Sequence, residues 1–341
     1  MSLAGCDWFD NREPAELEYV NDEVAETVEK LDEIVAHMSE NFFMSASVRM
    51  SNIKVWEQLG AYYESNPDIF IMRGVAGMEI SYREVGNVIH AEIFPQYEMF
   101  MKAIIAYEVG DTDILDDRER QVYDAAKRTV DANKANTTWA TSHALHVYLR
   151  DSITYDKNYD DNPDAFNIYG ALIDRKAVCQ GYAQAYRVLL HFAGIENIMV
   201  TGTAGGENHA WNLVNYGSRN SDEWYHVDVT WNDREDGASN RFFNVNDIVL
   251  GASHRWERDL YPSATSKRLN YYHYSGTNAS THNELVAIFG NLYRINGGGA
   301  LEVLCAWDLA MDELGFLNDY ADAPQVSITR YGGDSLLTVI L

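Results

Sequence analysis

The sequence is short of cysteine, proline and basic residues. Only 3 of 341 residues are cysteine (Cys6, Cys179, Cys305). That number is odd and too small to staple a chain of this length, so a disulfide framework is excluded. No C-x-x-C or H-E-x-x-H spacing occurs, which leaves no zinc motif; no metal and no cofactor is expected. Lys and Arg total 26 against 52 Asp and Glu, a net charge of −26. That argues against a nucleic-acid partner, because phosphate contacts need clustered cations. No apolar run approaches the roughly 18 residues a membrane-spanning helix needs. Proline is scarce at 6 residues, while 46% of the chain is apolar and 12% aromatic. Such a composition belongs to a folded globular protein, and the length suggests two or three domains.

Hydrophobic spacing divides the chain into three parts. Residues 14–40 read as a helix, with Val24, Val28, Leu31, Ile34 and Val35 at three- and four-residue steps. "MSASVRMS" alternates like a strand, and "NIKVWEQLGAYYESNP" is helical up to Pro67. "VAGMEISYREVG" and "VIHAEIFPQY" read as strands around Gly86-Asn87. The other end of the chain repeats this order: a helix in "THNELVAIFGNLYRI", a strand in "ALEVLCAW", a helix in "DLAMDELGFLNDY", and two strands around Gly332-Gly333-Asp334. Both flanks thus follow an α-β-α-β-β order. The expected parts are a tether over 1–13, an N-terminal α+β domain over 14–108, a central domain over 109–270 and a C-terminal α+β domain over 271–341. In the middle, "DDRERQVYDAAKRTVDANK" and "TWATSHALHVYLRDSI" are two helices. The acidic "DKNYDDNPD" that follows lacks the spacing of an EF-hand and reads as a solvated loop.

The cysteines differ in setting. Cys305, in the apolar run "ALEVLCAW", reads as a small buried hydrophobe. Cys179 sits in "DRKAVCQGYAQAYRVLLHFAG". From Tyr182 the apolar positions Ala185, Tyr186, Leu189, Leu190 and Ala193 mark one helix face, and Gly194 is a natural stop. Cys179 is therefore expected at the first turn, where unpaired N–H groups and the positive end of the helix dipole favour a thiolate. Gly181 there would leave a substrate's approach unobstructed. The plain alternative is a structural cysteine that happens to begin a helix.

A thiolate nucleophile needs a base, and the base needs an orienting group. "ENHAWNLVNYGSRNSDEWYHVDVTWND" supplies both. It reads as strands Ala210–Tyr216 and Trp224–Thr230. A two-residue turn at Ser218-Arg219 sets His209 directly across from Asp228. One face, with Ala210, Val214, Tyr216, Tyr225, Val227 and Val229, is core-like. The other carries His209, Trp211, Leu213, Trp224, His226, Asp228 and Thr230, and the Cys179 helix is expected to lie on it. His226 is a rival base, but Trp211 rather than a carboxylate stands opposite. The remaining histidines lie in helices or loops with no such partner. A register slip of one residue would break the pairing.

"AVCQGYAQAYRVLLHFAGI", "NHAWNLV" and "WYHVDVTWND" together resemble the bacterial transglutaminase-like superfamily, which shares the papain-like cysteine peptidase fold. "YLRDSITYD", "RFFNVND" and "HRWERDLYP" resemble its lipoprotein-type members. The resemblance spans residues 115–262 and leaves the flanks unexplained. It implies an α+β fold, with helices packed on an antiparallel sheet and small α+β segments on either side. It implies Cys179 as nucleophile, His209 as base and Asp228 as its orienter, working by acyl transfer through a thioester. The Cys179 N–H is one oxyanion donor; Gln180, Tyr169 and Trp231 are candidates for further contacts, and Trp211 and Trp231 either wall the cleft or pack. The expected reaction is hydrolysis of a peptide or amide bond, on a peptide or protein substrate of which cell-wall material is one option. Protein cross-linking by a true transglutaminase and an inactive binding scaffold are the alternatives. "LAGC" (Leu3 to Cys6) matches a bacterial lipobox, so an extracellular protein held by a lipid on Cys6 is expected.

Overall fold

A computed structural model describes residues 18–341, apart from 42, 67, 68, 70–72, 219, 220, 234–238 and 322. Cys6 and the expected tether lie outside the described residues. The chain is of the α+β class and divides into two compact units, one ending at Ala125 and one running from Ala126 to Leu341.

In the first unit, strand β1 (Glu18–Ala25) precedes helix α1 (Val28–Glu40), strand β2 (Ser45–Met50), helix α2 (Lys54–Ser65), strands β3 (Val75–Val85) and β4 (Val88–Tyr97), and helix α3 (Met99–Val109). Residues 18–25 are thus a strand, not the start of the helix expected over 14–40. Val24 and Val28 fit a helical spacing, yet 18–25 pair in parallel with β2. Thr27 then caps α1, its hydroxyl accepting from the Lys30 N–H. The sheet order is β1-β2-β4-β3. Ala46, Val48 and Met50 of β2 and Ile89, Ala91 and Ile93 of β4 face the buried sides of α1 and α2. The turn at Gly86 falls where expected, with φ of +65°.

Helix α4 (Asp117–Asn133) contains the boundary between units. Helix α5 (Thr138–Ser152) follows, then a parallel pair of two-residue strands, β5 (Thr154–Tyr155) and β6 (Lys176–Ala177), and helix α6 (Cys179–Phe192). Next come β7 (Asn197–Ala204), β8 (Glu207–Asn215), β9 (Trp224–Val227), helix α7 (Val229–Asn232), β10 (Phe243–Val245), helix α8 (Asp247–Leu250) and β11 (His254–Arg255). They build a five-stranded antiparallel sheet in the order β10-β9-β8-β7-β11.

The last segment holds helix α9 (Tyr271–Ser275), strand β12 (Asn278–Ala279), helix α10 (His282–Asn296), strand β13 (Ala300–Cys305), a 3-10 helix (Met311–Asp319), and strands β14 (Gln325–Tyr331) and β15 (Asp334–Ile340). Their sheet order is β12-β13-β15-β14. Val303, Cys305, Leu337 and Val339 pack under α10 and the 3-10 helix. Leu304 and Leu336, on the opposite face, join Trp211, Leu213 and Trp224 of the five-stranded sheet in one core. Cys305 is fully buried, and burial pushes its thiol up to about 12, so it is inert.

Candidate active site

Helix α6 starts at Cys179, behind an N-cap residue, Val178, whose side chain makes no cap hydrogen bond. The helix is clamped on several sides. Tyr182, Ala185, Tyr186, Leu189 and Leu190 are buried. Gln184 Oε1 accepts from the Ile168 N–H at 3.0 Å, and the Ala183 carbonyl accepts from Asn212 Nδ2 at 3.0 Å. Gly181 is required by packing, not by a substrate's path: a Cβ there would stand 2.8 Å from the Ala165 carbonyl oxygen and 2.9 Å from that of Asn167.

Asn212 also decides which face of the hairpin meets the helix. It alternates with Trp211 and Leu213, which belong to the core on the far side. The helix therefore lies on the Asn212 face, not on the Trp211 face as expected. The register differs as well. Ser218 bridges Ser221, and Asn212 pairs with Val227, so the turn sits one residue later and every pairing moves by two. A shift of two keeps each side chain on its face. β9 ends at Val227, and Asp228 leaves the strand to cap α7, its Oδ1 accepting from the Trp231 N–H at 3.0 Å. Its Oδ2 meets His209 Nε2 at 2.7 Å. The expected contact is thus made diagonally.

His209 sits on β8 opposite Gly202 and is only 9% exposed. Asp228 holds its Nε2, and the Cys179 thiol acts on its ring electrostatically. Burial alone would push the imidazole down. The Asp228 charge and hydrogen bond, with the contact to Cys179, outweigh that and raise it to about 10. Burial likewise opposes the Asp228 charge, but the His209 charge and its hydrogen bond, joined by His254, hold the carboxyl well below its usual range. The folded state therefore favours an imidazolium locked to a carboxylate.

His254 is the partner that sequence spacing missed. It comes from β11, is fully buried, and brings Nε2 to 2.9 Å from the same Asp228 Oδ2. His226 also has a carboxylate after all: Nε2 donates to Asp247 Oδ1 at 2.9 Å, while Nδ1 accepts from Trp211 Nε1 at 3.0 Å. Trp211 is buried and packs against His209, His254 and Trp256; of its two expected roles it fills packing, not the cleft wall. Trp231 does line a cleft of about 530 Å³, with His209, Tyr155, Glu207, Asp233 and Arg241. Tyr155 interacts electrostatically with Cys179; it lies in the "YLRDSITYD" string, the one sequence signal that could have found it. Gln180 follows Cys179 in the first turn and is half-buried. Tyr169 is half-buried, its N–H donating to Asn167 Oδ1 at 2.8 Å.

Among the described residues, His209, Asp228 and His254 form the one group of three metal-ligating side chains whose ligand atoms lie within 4.8 Å of one another. Their 2.7 and 2.9 Å contacts are hydrogen-bond lengths. Two ligands on a tetrahedral ion with bonds near 2.0–2.1 Å stand about 3.3 Å apart. The cluster is thus built as a proton-sharing network.

Residues 123–229 match the family model of the transglutaminase-like superfamily. That match covers a little under a third of the chain and shows similarity of this segment to the superfamily. Cys179, His209 and Asp228 all fall within the match. Solved structures similar to the chain include a TGase, with 15% identity over 57% of this chain and 53% of that one at a TM-score of 0.31. A second is a candidate cysteine protease from Cytophaga hutchinsonii, with 14% identity over 45% and 62% at 0.27. A third is a candidate protease from Parabacteroides distasonis, with 8% identity over 87% and 66% at 0.26. The chain thus spans from about half to just under two thirds of those chains. No curated protein matches it.

Proposed function

We propose that the protein is a cysteine hydrolase that cleaves a peptide or amide bond through a thioester on Cys179. The observation that carries this is His209, buried at a cleft and interacting with the Cys179 thiol through its ring while Asp228 holds Nε2. With the thiol proton held on His209 as an imidazolium, the sulfur attacks the substrate carbonyl carbon as a thiolate. The imidazolium then gives that proton to the leaving nitrogen as the C–N bond breaks. Water, deprotonated by His209, opens the thioester and releases the acid. The N–H groups of the first turn of α6 supply donors for the oxyanion.

The transglutaminase alternative uses the same nucleophile and differs only in the acceptor, an amine in place of water. Incubating the protein with a peptide pool, with and without a fluorescent primary amine, separates them by mass spectrometry. New peptide ends or hydrolysed amides are expected, all lost in Cys179→Ala. Amine-labelled products would shift the assignment to a transferase. Neither product, with no acyl adduct on Cys179, would leave a binding scaffold. A location at the bacterial surface with a lipid on Cys6 is also proposed; the "LAGC" string, Leu3 to Cys6, supports it.

A further inference from the structure

Asp228 is fully buried and carries more partners than a three-residue site needs. Its Oδ2 meets two imidazoles, His209 at 2.7 Å and His254 at 2.9 Å, and its Oδ1 meets the Trp231 N–H at 3.0 Å. An ionised carboxylate only accepts. Both imidazoles must therefore present an N–H to it at Nε2. The surroundings distinguish the two rings. His209 also faces the Cys179 sulfur. His254 has a different second partner: its Nδ1 lies 2.8 Å from Ser253 Oγ, and its ring packs on Trp211, Trp231 and Phe242 at 4.7–5.5 Å. His254 therefore carries a proton on Nε2.

Backbone geometry delivers this ring to the carboxylate. β11 pairs with the end of β7, His254 opposite Ala204 and Arg255 opposite Thr203. The approach is close enough that a Cβ on Gly202 would stand 2.1 Å from the Arg255 carbonyl oxygen. Gly202 in turn pairs with His209.

We propose that His254 is a positioning residue: its Nε2–H fixes the Asp228 carboxylate so that the remaining acceptor site is aimed at His209. This rests on the cysteine-hydrolase reading above. The site is then a chain of four side chains, Cys179–His209–Asp228–His254. Without His254, a buried lone pair loses its donor and the carboxylate is free to turn from His209. The titratable and charged groups around the cluster include Cys179, Tyr155, Glu207, Asp233 and Arg241 at the cleft, with His146 and His226 behind.

The test uses the full chain and iodoacetamide labelling of Cys179 from pH 5 to 9. His254→Phe keeps a ring among the three aromatics but removes the donor; His254→Gln keeps an N–H. Labelling at pH 6 is expected to slow about 10- to 100-fold in His254→Phe, the size of one lost hydrogen bond to a charged group. Its acid limb should move to higher pH, with much of the rate restored in His254→Gln. A folded His254→Phe protein with the wild-type profile would overturn the proposal. Nitrogen-15 NMR of the histidines in the wild-type protein tests it without any variant. A His254 proton on Nε2, hydrogen-bonded to a carboxylate, is expected; a proton on Nδ1 alone would overturn it. Wild-type labelling that follows an ordinary thiol would instead remove the hydrolase reading itself.

Discussion

The sheet of the first unit and the C-terminal sheet are drawn to the same plan. Each runs β-α-β-helix-β-β, and the orders β1-β2-β4-β3 and β12-β13-β15-β14 correspond strand for strand. In each, the first pair is parallel and the rest antiparallel. Among the described residues, they differ in how many faces are covered. On the central pair of the first sheet, the face away from the helices carries Arg49 across from His90, with Arg83 beyond. The matching pair of the C-terminal sheet carries Leu304 across from Leu336, and these join the core that contains Trp211. The strands announce this difference: "SASVRM" alternates, whereas "DSLLTVI" is buried nearly throughout. One topology thus serves as a one-sided sheet in one place. In the other it is a layer that backs the core containing Trp211.

The strongest way to break this contrast is to charge the covered face. Leu336→Asp buries an unpaired carboxylate and should cost more than about 4 kcal/mol. Urea unfolding should record that loss, and Cys179 labelling should fall with it, because Trp211 of the same core packs on His209. On the shared, helix-facing side the two sheets should behave alike. Met50→Ala and Leu337→Ala, both fully buried, should each cost about 2–5 kcal/mol, and hydrogen exchange should localise each loss to its own sheet.

Titration sharpens the contrast further. In the first unit, burial disfavours the Asp32 charge, but Arg73 and Tyr63 hold its carboxyl below the usual value. That contribution is present above the unfolded pKa and fades only as pH falls, since Arg73 stays charged. In the second unit Asp228 is depressed and its partner His209 is raised to about 10. The His209 contribution is complete below about 6.5 and is lost as pH rises through about 10. Hydrogen exchange, corrected for intrinsic rate, should therefore show β8 and β9 weakening at both ends of the pH range and β2 and β4 mainly at the acid end. Protection in β8 and β9 that holds steady from pH 7 to 10 would contradict the assigned pair. The smallest effect belongs to the open face: Arg49→Ser and Arg83→Ser should change stability by no more than about 0.5 kcal/mol each.

Much of this was legible in the sequence where the pattern was local. Alternation in "SASVRM", the helix face after Cys179 and the Gly86 turn each depend on neighbours in the chain. The contact of His209 with Asp228 survived an error in register, because the true turn shifts pairing by two and parity is unchanged. Long-range features were not legible. β1 shares its apolar spacing with a helix and is a strand only because β2 lies beside it. His254 belongs to a two-residue strand, 26 residues beyond Asp228, with no periodic signal of its own. Gly181 suggested an open approach to the sulfur, but the 165–167 backbone occupies that space.

The central claim is that His209 draws the proton from Cys179. Iodoacetamide labelling of that cysteine, followed from pH 5 to 9 in the wild-type chain and in His209→Ala, tests it directly, with buried Cys305 as an internal control. The account predicts rapid modification of position 179 at pH 6 in the wild type and its loss in the variant. Two superimposable curves, both rising near about 8.5 as a solvent-exposed thiol does, would contradict it.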